Sequence, residues 1–283
     1  MRCLFFKVTE KEHGITAENF LRRNGFSRRI ITVLKLSGAI TRSGDILRSV
    51  DTVRSGDVVE ICLYDEENGN SPEPNPAINA KIQYEDEDAV VFDKAPFVPV
   101  HPSIAHYTDT LANLYSSLYP KSVFRPVNRL DKNTSGLCLC AKNQLSAAIL
   151  SENIQKTYYA IVDGEIRTSG QLDFPIGRAD NSIIRREVRS DGQPAVTFYK
   201  PVLNKNGRTL LEITLKTGRT HQIRVHFSHI GFPLCGDDMY GGNCEAINRH
   251  SLHCGKIIFT KPFTNQPVTV VSELPKDMQA LLI

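Results

Sequence analysis

Asp131 is the residue of this chain best placed to do chemistry. It stands in RPVNRLDKNTSGLCLCAK (125–142), behind an arginine-bearing loop and ahead of the turn NTSG and an almost wholly apolar run, Leu137 to Ala141. That order sets a carboxylate at a sheet edge and partly out of water, where it protonates unless a cation or several donors favour its ionised form. Arg129 lies two residues away, and TGRTHQIRVHFSHIG (217–231) adds Arg219 and Arg224. In that second stretch Thr220 is expected to cap a helix whose core face carries Ile223, Phe227 and Ile230, with Arg219 before it and Arg224 on its flank. An aspartate held ionised by arginine in an apolar cleft suits nucleophilic work. A structural Asp–Arg pair fastening a loop uses the same letters, and spacing alone does not separate the two.

KTYYAIV (156–162) brings a second candidate. Alternation puts Lys156, Tyr158, Ala160 and Val162 on one strand face and Tyr159 and Ile161 on the other. One tyrosine therefore faces the core and the other is free to line a cleft, where a ring can stack on a flat ligand such as a nucleobase.

Several strand-like segments must position these groups. Residues 89–95, 136–142, 156–164, 195–202, 208–218, 255–263 and 266–274 are rich in β-branched and aromatic side chains, and helices are expected at 111–118, 144–153 and 220–230. Several strands follow one another directly, which favours an α+β arrangement with a mainly antiparallel central sheet over βαβ alternation.

DEENGNSPEPNPA (65–77) holds three prolines, a glycine and no large apolar residue, and reads as a linker between a small module, 1–64, and a large one, 78–283. In the small module Thr16 and Ser27 are expected to cap two short helices that stop at Gly25 and Gly38, the second with Ile30, Ile31 and Leu34 as its core stripe. Short strands are expected near 38–41 and 58–63. The net charge of the 283 residues is only +3, but from Glu18 to Arg54 eight bases stand against three acids, whereas from Asp65 to Asp88 eight acids stand against Lys81 alone. Arg28 and Arg29 open the second helix, where cations oppose the helix dipole and call for an anionic ligand such as phosphate.

Composition excludes other classes. An apolar share of 41% and a charged share of 23% are ordinary for a soluble globular protein, and no run approaches the roughly 18 apolar residues of a membrane span. MRCLFFKVTEKE has too short an apolar group for a signal peptide, so a cytoplasmic location is expected. The seven cysteines are odd in number and scattered, without a CxxC pair; they are expected to be free thiols, mostly buried, in a reducing compartment, and no metal site is expected.

RPVNRLDKNTSGLCLCAK, KTYYA, LKTGRTHQIRVHFSHIGFPLCGDDMYGG and RHSLHC resemble, in order and spacing, the signature segments of the RluA family of pseudouridine synthases. DKAPFVPVHPS (93–103) is similar to that family's KPxGxxVHP segment, and FLRRNGFSRR with the later GAI and SGDVVEI resembles an S4-like RNA-binding module, a usual N-terminal partner in the family. The resemblance implies a pseudouridine synthase fold with a central active-site cleft plus a small N-terminal α/β S4-like domain. It implies isomerisation of uridines in structured RNA, without cofactor or metal, after the base has been flipped from its stack. Ribosomal RNA of the large subunit is the weighted expectation and transfer RNA the next, with the chain acting as a monomer and needing no protein partner or membrane.

Residue by residue, the resemblance makes Asp131 the catalytic aspartate, Tyr158 the active-site tyrosine and Arg224 the salt-bridge partner of Asp131. Arg129, Asn128, Arg219, His221 and Leu252 become substrate contacts, and Arg22, Arg23, Arg28, Arg29 and Lys35 contacts of the S4-like module to RNA. Two letters depart from the pattern: Asn128 stands where the family has histidine, and Phe97 where the KPxG turn has glycine. Two other functions are compatible with parts of the sequence. One is a catalytically silent RNA-binding or ribosome-assembly factor; the other is an aspartyl phosphoryl-transfer enzyme, although such enzymes place the apolar strand before the aspartate rather than after it.

Overall fold

The computed structural model describes residues 2–63, 71–264 and 266–283. Its first part is a four-stranded antiparallel sheet with two helices: β1 (Arg2–Lys7), α1 (Ala17–Arg23), α2 (Arg28–Leu36), β2 (Ile40–Arg42), β3 (Asp45–Ile46) and β4 (Val58–Leu63), in the order β1-β4-β2-β3. The helices start where capping chemistry puts them. The Thr16 hydroxyl accepts from Asn19 N–H at 3.3 Å and the Ser27 hydroxyl from Ile30 N–H at 3.4 Å, each satisfying a donor the helix cannot. Ile31 and Leu34 are buried and Ile30 packs at the edge of the same core.

Residues 64–70, the first part of the expected linker, lie outside the described residues. Its second part is fastened: Asn75 N–H donates to Asn113 O at 3.0 Å, and Asn113 Nδ2 donates to Glu73 O at 2.7 Å. The small sheet's core also extends beyond its own segment, taking in buried Leu145 and the partly buried Ile149 and Phe263, with Phe26 stacked on Phe263 at 6.3 Å between centroids.

The expectation of seven free thiols fails for one pair. Cys3 and Cys62 stand directly opposite in the β1–β4 register and are joined by a disulfide; the other five are free, four of them buried and Cys244 exposed. Strand register, invisible in a list of cysteines 59 residues apart, brings the two sulfurs together.

The remainder is built on a ten-stranded sheet. In chain order it comprises β5 (Ala80–Glu85), β6 (Ala89–Lys94), α3 (Leu111–Leu118), β7 (Arg125–Pro126), β8 (Ser135–Ala141), α4 (Gln144–Asn153), β9 (Gln155–Asp163) and β10 (Gly170–Asp173). A separate hairpin of β11 (Ile176–Arg178) and β12 (Arg186–Val188) follows, then β13 (Val196–Lys205), β14 (Arg208–Leu215), α5 (Gln222–His229), β15 (Leu252–Thr260), β16 (Pro267–Val271) and α6 (Lys276–Ala280). The strand order is β10-β13-β14-β9-β15-β8-β6-β5, with β16 added to β15 and β7 to β8. Only β15 and β8 run parallel; every other pair is antiparallel. Every residue of β8 is buried, which accounts for an unbroken apolar run where a half-solvated strand would alternate.

The parallel junction fixes the loop that carries Asp131. Cys254 pairs with Gly136, whose φ is 106°, and a Cβ on that glycine would meet Cys254 O at 2.3 Å. Glycine after TS is therefore required where the loop from Asp131 enters the sheet. Phe97, which stands where the resembled KPxG turn has glycine, has φ 68°, a left-handed conformation that costs an L residue about 1–2 kcal/mol. No helix among the described residues is long and apolar enough to cross a membrane.

Candidate active site

The cleft lies where the loop before β8, strand β9, the N-terminal end of β15 and helix α5 converge. Asp131, 30% exposed, accepts a hydrogen bond at Oδ2 from Arg224 Nη1 at 3.2 Å, and His221 Nε2 stands 3.7 Å from the same oxygen. Of the arginines that spacing left open, Arg224 is the one paired with Asp131. It also grips a second carboxylate: Nε and Nη2 donate to the two oxygens of Asp237 at 2.7 and 2.8 Å. Asp237 is fully buried and Arg224 is 5% exposed. Burial alone would lower the guanidinium's pKa, but the Asp237 bonds outweigh it and the shift is upward. A single cation thus serves two acids.

Helix α5 does not start as expected. Thr220 is exposed and caps nothing; His221 is the first flanking residue, in the left-handed region with φ 57°. Gln222 braces the turn instead, its Oε1 accepting from Arg219 N–H and from the Thr217 hydroxyl, both at 2.9 Å. The helix begins one residue later than expected, so Thr220 falls before the N-cap position, and the Gln222 bonds tie the preceding turn to the helix without capping it.

Tyr158 and Leu252 form the apolar wall, 7% and 6% exposed. Tyr158 sits opposite Cys254 and Ile213 across β15 and β14. Burial, then the neighbouring Cys254 and Asp131, push its phenol well above 10. It therefore remains protonated and is unsuited to act as a base. Arg129 and Arg219 are exposed at the rim of the same cleft. Asn128 is placed elsewhere. It is 4% exposed and its amide is committed to β8, Nδ2 donating to Leu137 O at 3.1 Å and Oδ1 accepting from Leu139 N–H at 2.8 Å. With β7 only two residues long, this amide supplies the pairing that the strand itself lacks. Asn128 holds the loop from behind and does not line the cleft.

Three further residues, Lys94, Arg249 and His250, hold the Asp131 loop, although none of them was assigned a role from the sequence. Lys94 Nζ, fully buried, donates to Lys132 O at 3.2 Å and to Ala95 O at 3.0 Å, and burial pushes it down to about 7. Arg249, also buried, donates from Nη1 to Asn133 O at 3.2 Å while Nε and Nη2 bind Asp277 of α6 at 2.7 and 3.0 Å. Thr134 meets His250 Nε2 at 2.8 Å; burial, then the positive charges around it, lower that histidine to about 2 and keep it neutral. Asp237 was legible only as one of two adjacent acids in GDDMYGG, and one-dimensional spacing could not choose between them.

The mixed sheet that carries this carboxylate and tyrosine is shared with pseudouridylate synthases of known structure. Among solved structures, Human RNA Pseudouridylate Synthase Domain Containing 1 superposes with a TM-score of 0.60 at 25% identity, over 71% of this chain and 86% of that one. The family model described as RNA pseudouridylate synthase matches residues 88–229, half of the chain. A relative from Bacillus subtilis (strain 168), described as uncharacterized RNA pseudouridine synthase YjbO, is 34% identical over 278 residues, 95% of this chain and 98% of that one. Ribosomal large subunit pseudouridine synthase D of Zymomonas mobilis is 36% identical over 240 residues, 74% of this chain and 76% of its own length. The chain belongs to the RNA pseudouridylate synthase family.

Proposed function

We propose that this protein isomerises uridine to pseudouridine in ribosomal RNA of the large subunit, with Asp131 as the essential carboxylate. The Asp131–Arg224 contact at 3.2 Å, set in an apolar cleft beside Tyr158, carries the reading. In the reaction the C1′–N1 bond breaks, uracil turns, a C1′–C5 bond forms, and the C5 proton leaves as N1 gains one, so atoms balance without cofactor or external donor. A uridine within folded RNA must first leave its stack, at a cost of a few kcal/mol. Tyr158 offsets that cost by stacking on the base, Leu252 packs beneath it, and Arg129 and Arg219 at the rim hold the phosphates or occupy the vacated stack. The carboxylate of Asp131 works at C1′, at C6 or on a ribose proton. Mapping pseudouridines in RNA from cells with and without this protein tests the reading; identical maps would end it.

In this reading residues 1–64 form an S4-like RNA-binding domain, 65–77 a connection and 78–283 the catalytic domain, acting as a cytoplasmic monomer. Arg22, Arg23, Arg28, Arg29 and Lys35 are all exposed on α1 and α2, which supports a phosphate-binding face. Replacing the four arginines by alanine is expected to weaken RNA binding. It should also flatten the slope of log affinity against log salt by about 3, because each lost phosphate contact releases fewer counterions. An unchanged slope would remove this face from the RNA interface.

A further inference from the structure

Tyr240 touches both residues that touch Asp131. Its ring lies beneath Arg224, whose guanidinium carbon is 4.9 Å from the ring centroid, and its hydroxyl is 2.9 Å from His221 Nδ1. The same hydroxyl accepts the backbone N–H of Arg186, at the start of β12, at 2.9 Å. The side chain is buried, 6% exposed, so its partners are protein groups.

A phenol has one hydrogen and two lone pairs. The Arg186 N–H is a donor in every protonation state and occupies one lone pair, and His221 Nδ1 is the acceptor within reach of the buried phenol's hydrogen, so the arrangement that satisfies the hydroxyl has it donating to Nδ1. A neutral imidazole that accepts at Nδ1 carries its proton on Nε2. Burial, the largest influence on His221, lowers its pKa and favours that neutral form, with Asp131 opposing and Arg224 reinforcing. Nε2 is the nitrogen that faces Asp131 Oδ2, at 3.7 Å.

We infer that Tyr240 is a positioning residue: its hydroxyl, oriented by the β12 backbone, selects the Nε2–H tautomer of His221 and so presents Asp131 with a donor. The opposite tautomer would face the carboxylate with a lone pair. Arg224 then bonds Oδ2 while the His221 N–H faces the same oxygen from 3.7 Å, which leaves Oδ1 for the substrate. The β11–β12 hairpin, which stands outside the main sheet, thereby becomes part of the apparatus that orients the carboxylate. This inference rests on the reading of Asp131 as the catalytic group.

The test uses the full chain labelled with ¹⁵N-histidine. Long-range ¹H–¹⁵N spectra without RNA, with the His221 signals assigned by their loss in His221→Asn, are expected to show Nε2 protonated and Nδ1 unprotonated. Tyr240→Phe keeps the ring beneath Arg224 and removes only the hydroxyl. It should give mixed His221 tautomers and lower kcat by roughly 10- to 100-fold, the scale of losing a group that orients a functional imidazole, with KM within about twofold. His221→Gln, whose amide reaches the Nε2 position, should retain more turnover than His221→Asn, whose amide mimics Nδ1. A wild-type Nδ1–H tautomer, an unchanged tautomer or unchanged kcat in Tyr240→Phe, or equal turnover in the two His221 variants would overturn the inference. If the wild-type enzyme forms no pseudouridine, the functional reading fails by itself, and the wild-type and Tyr240→Phe spectra still decide which tautomer the hydroxyl sets.

Discussion

Asp131→Asn is expected to abolish pseudouridine formation, by at least about 10⁴-fold, the scale of removing an essential member of a catalytic group, while RNA affinity stays within about twofold. The amide has the carboxylate's shape but neither its charge nor its nucleophilicity. The fold should tolerate the exchange. Asp131 is 30% exposed, and Arg224 retains the two bonds to buried Asp237 that hold it in place. Rim contacts from Arg129 and Arg219 are untouched, so binding and chemistry separate. Pseudouridine quantified by mass spectrometry of digested RNA, beside a direct binding measurement, reads both. A variant that still made product at an appreciable rate would remove Asp131 from the chemistry and favour a silent RNA-binding role for the scaffold.

Arg224→Met should have the largest effect on stability. The arginine is the cation for Asp237, which is fully buried, and removing one partner of a buried pair strands the other charge at a cost of about 3–5 kcal/mol. For a chain of this size that lowers Tm by roughly 5–8 °C. Activity is lost as well, because Asp131 loses its direct hydrogen-bond donor. The double variant Arg224→Met with Asp237→Asn separates the two consequences. Neutralising the stranded acid should restore much of the stability, giving a favourable coupling energy in the cycle, and none of the turnover. Arg224→Lys is not a conservative control, since one ammonium cannot reproduce the two-pronged bond to Asp237 and the third bond to Asp131. If Arg224→Met melted like the wild type, the Arg224–Asp237 pair would not be the brace described above.

The strongly patterned segments were legible in the sequence. The helices expected at 111–118 and 144–153 span Leu111–Leu118 and Gln144–Asn153, and the strand run at 156–164 is β9, Gln155–Asp163. Capping by Thr16 and Ser27 was legible because the signal is local: one hydroxyl, one N–H, three residues apart. Thr220 failed on the same rule because the turn makes His221, in the left-handed region, the flanking residue, which no local hydroxyl signal reveals. β1, β3, β5, β7, β10, β11 and β12 were not anticipated; those of two or three residues are too short for a period to show.

The site divides in the same way. Asp131, Tyr158, Arg224 and Leu252 sit in stretches whose residue types and order already resembled a signature, and the tertiary structure gathers all four on one cleft. Spacing left open which arginine meets the aspartate, although the resemblance named Arg224, and which of two adjacent acids that arginine grips was decided only by the tertiary packing of α5. The buried Lys94 and Arg249 side chains that hold the loop's carbonyls, the turning of Asn128 away from the cleft, and the Cys3–Cys62 bond belong to the same class. By itself the sequence determined that a carboxylate, a tyrosine and arginines would stand at particular positions on strands and turns, because propensity and periodicity act over a few residues. The tertiary structure decided the partners, because strand register and buried charge pairing join residues tens to more than a hundred positions apart, and no local pattern carries that information.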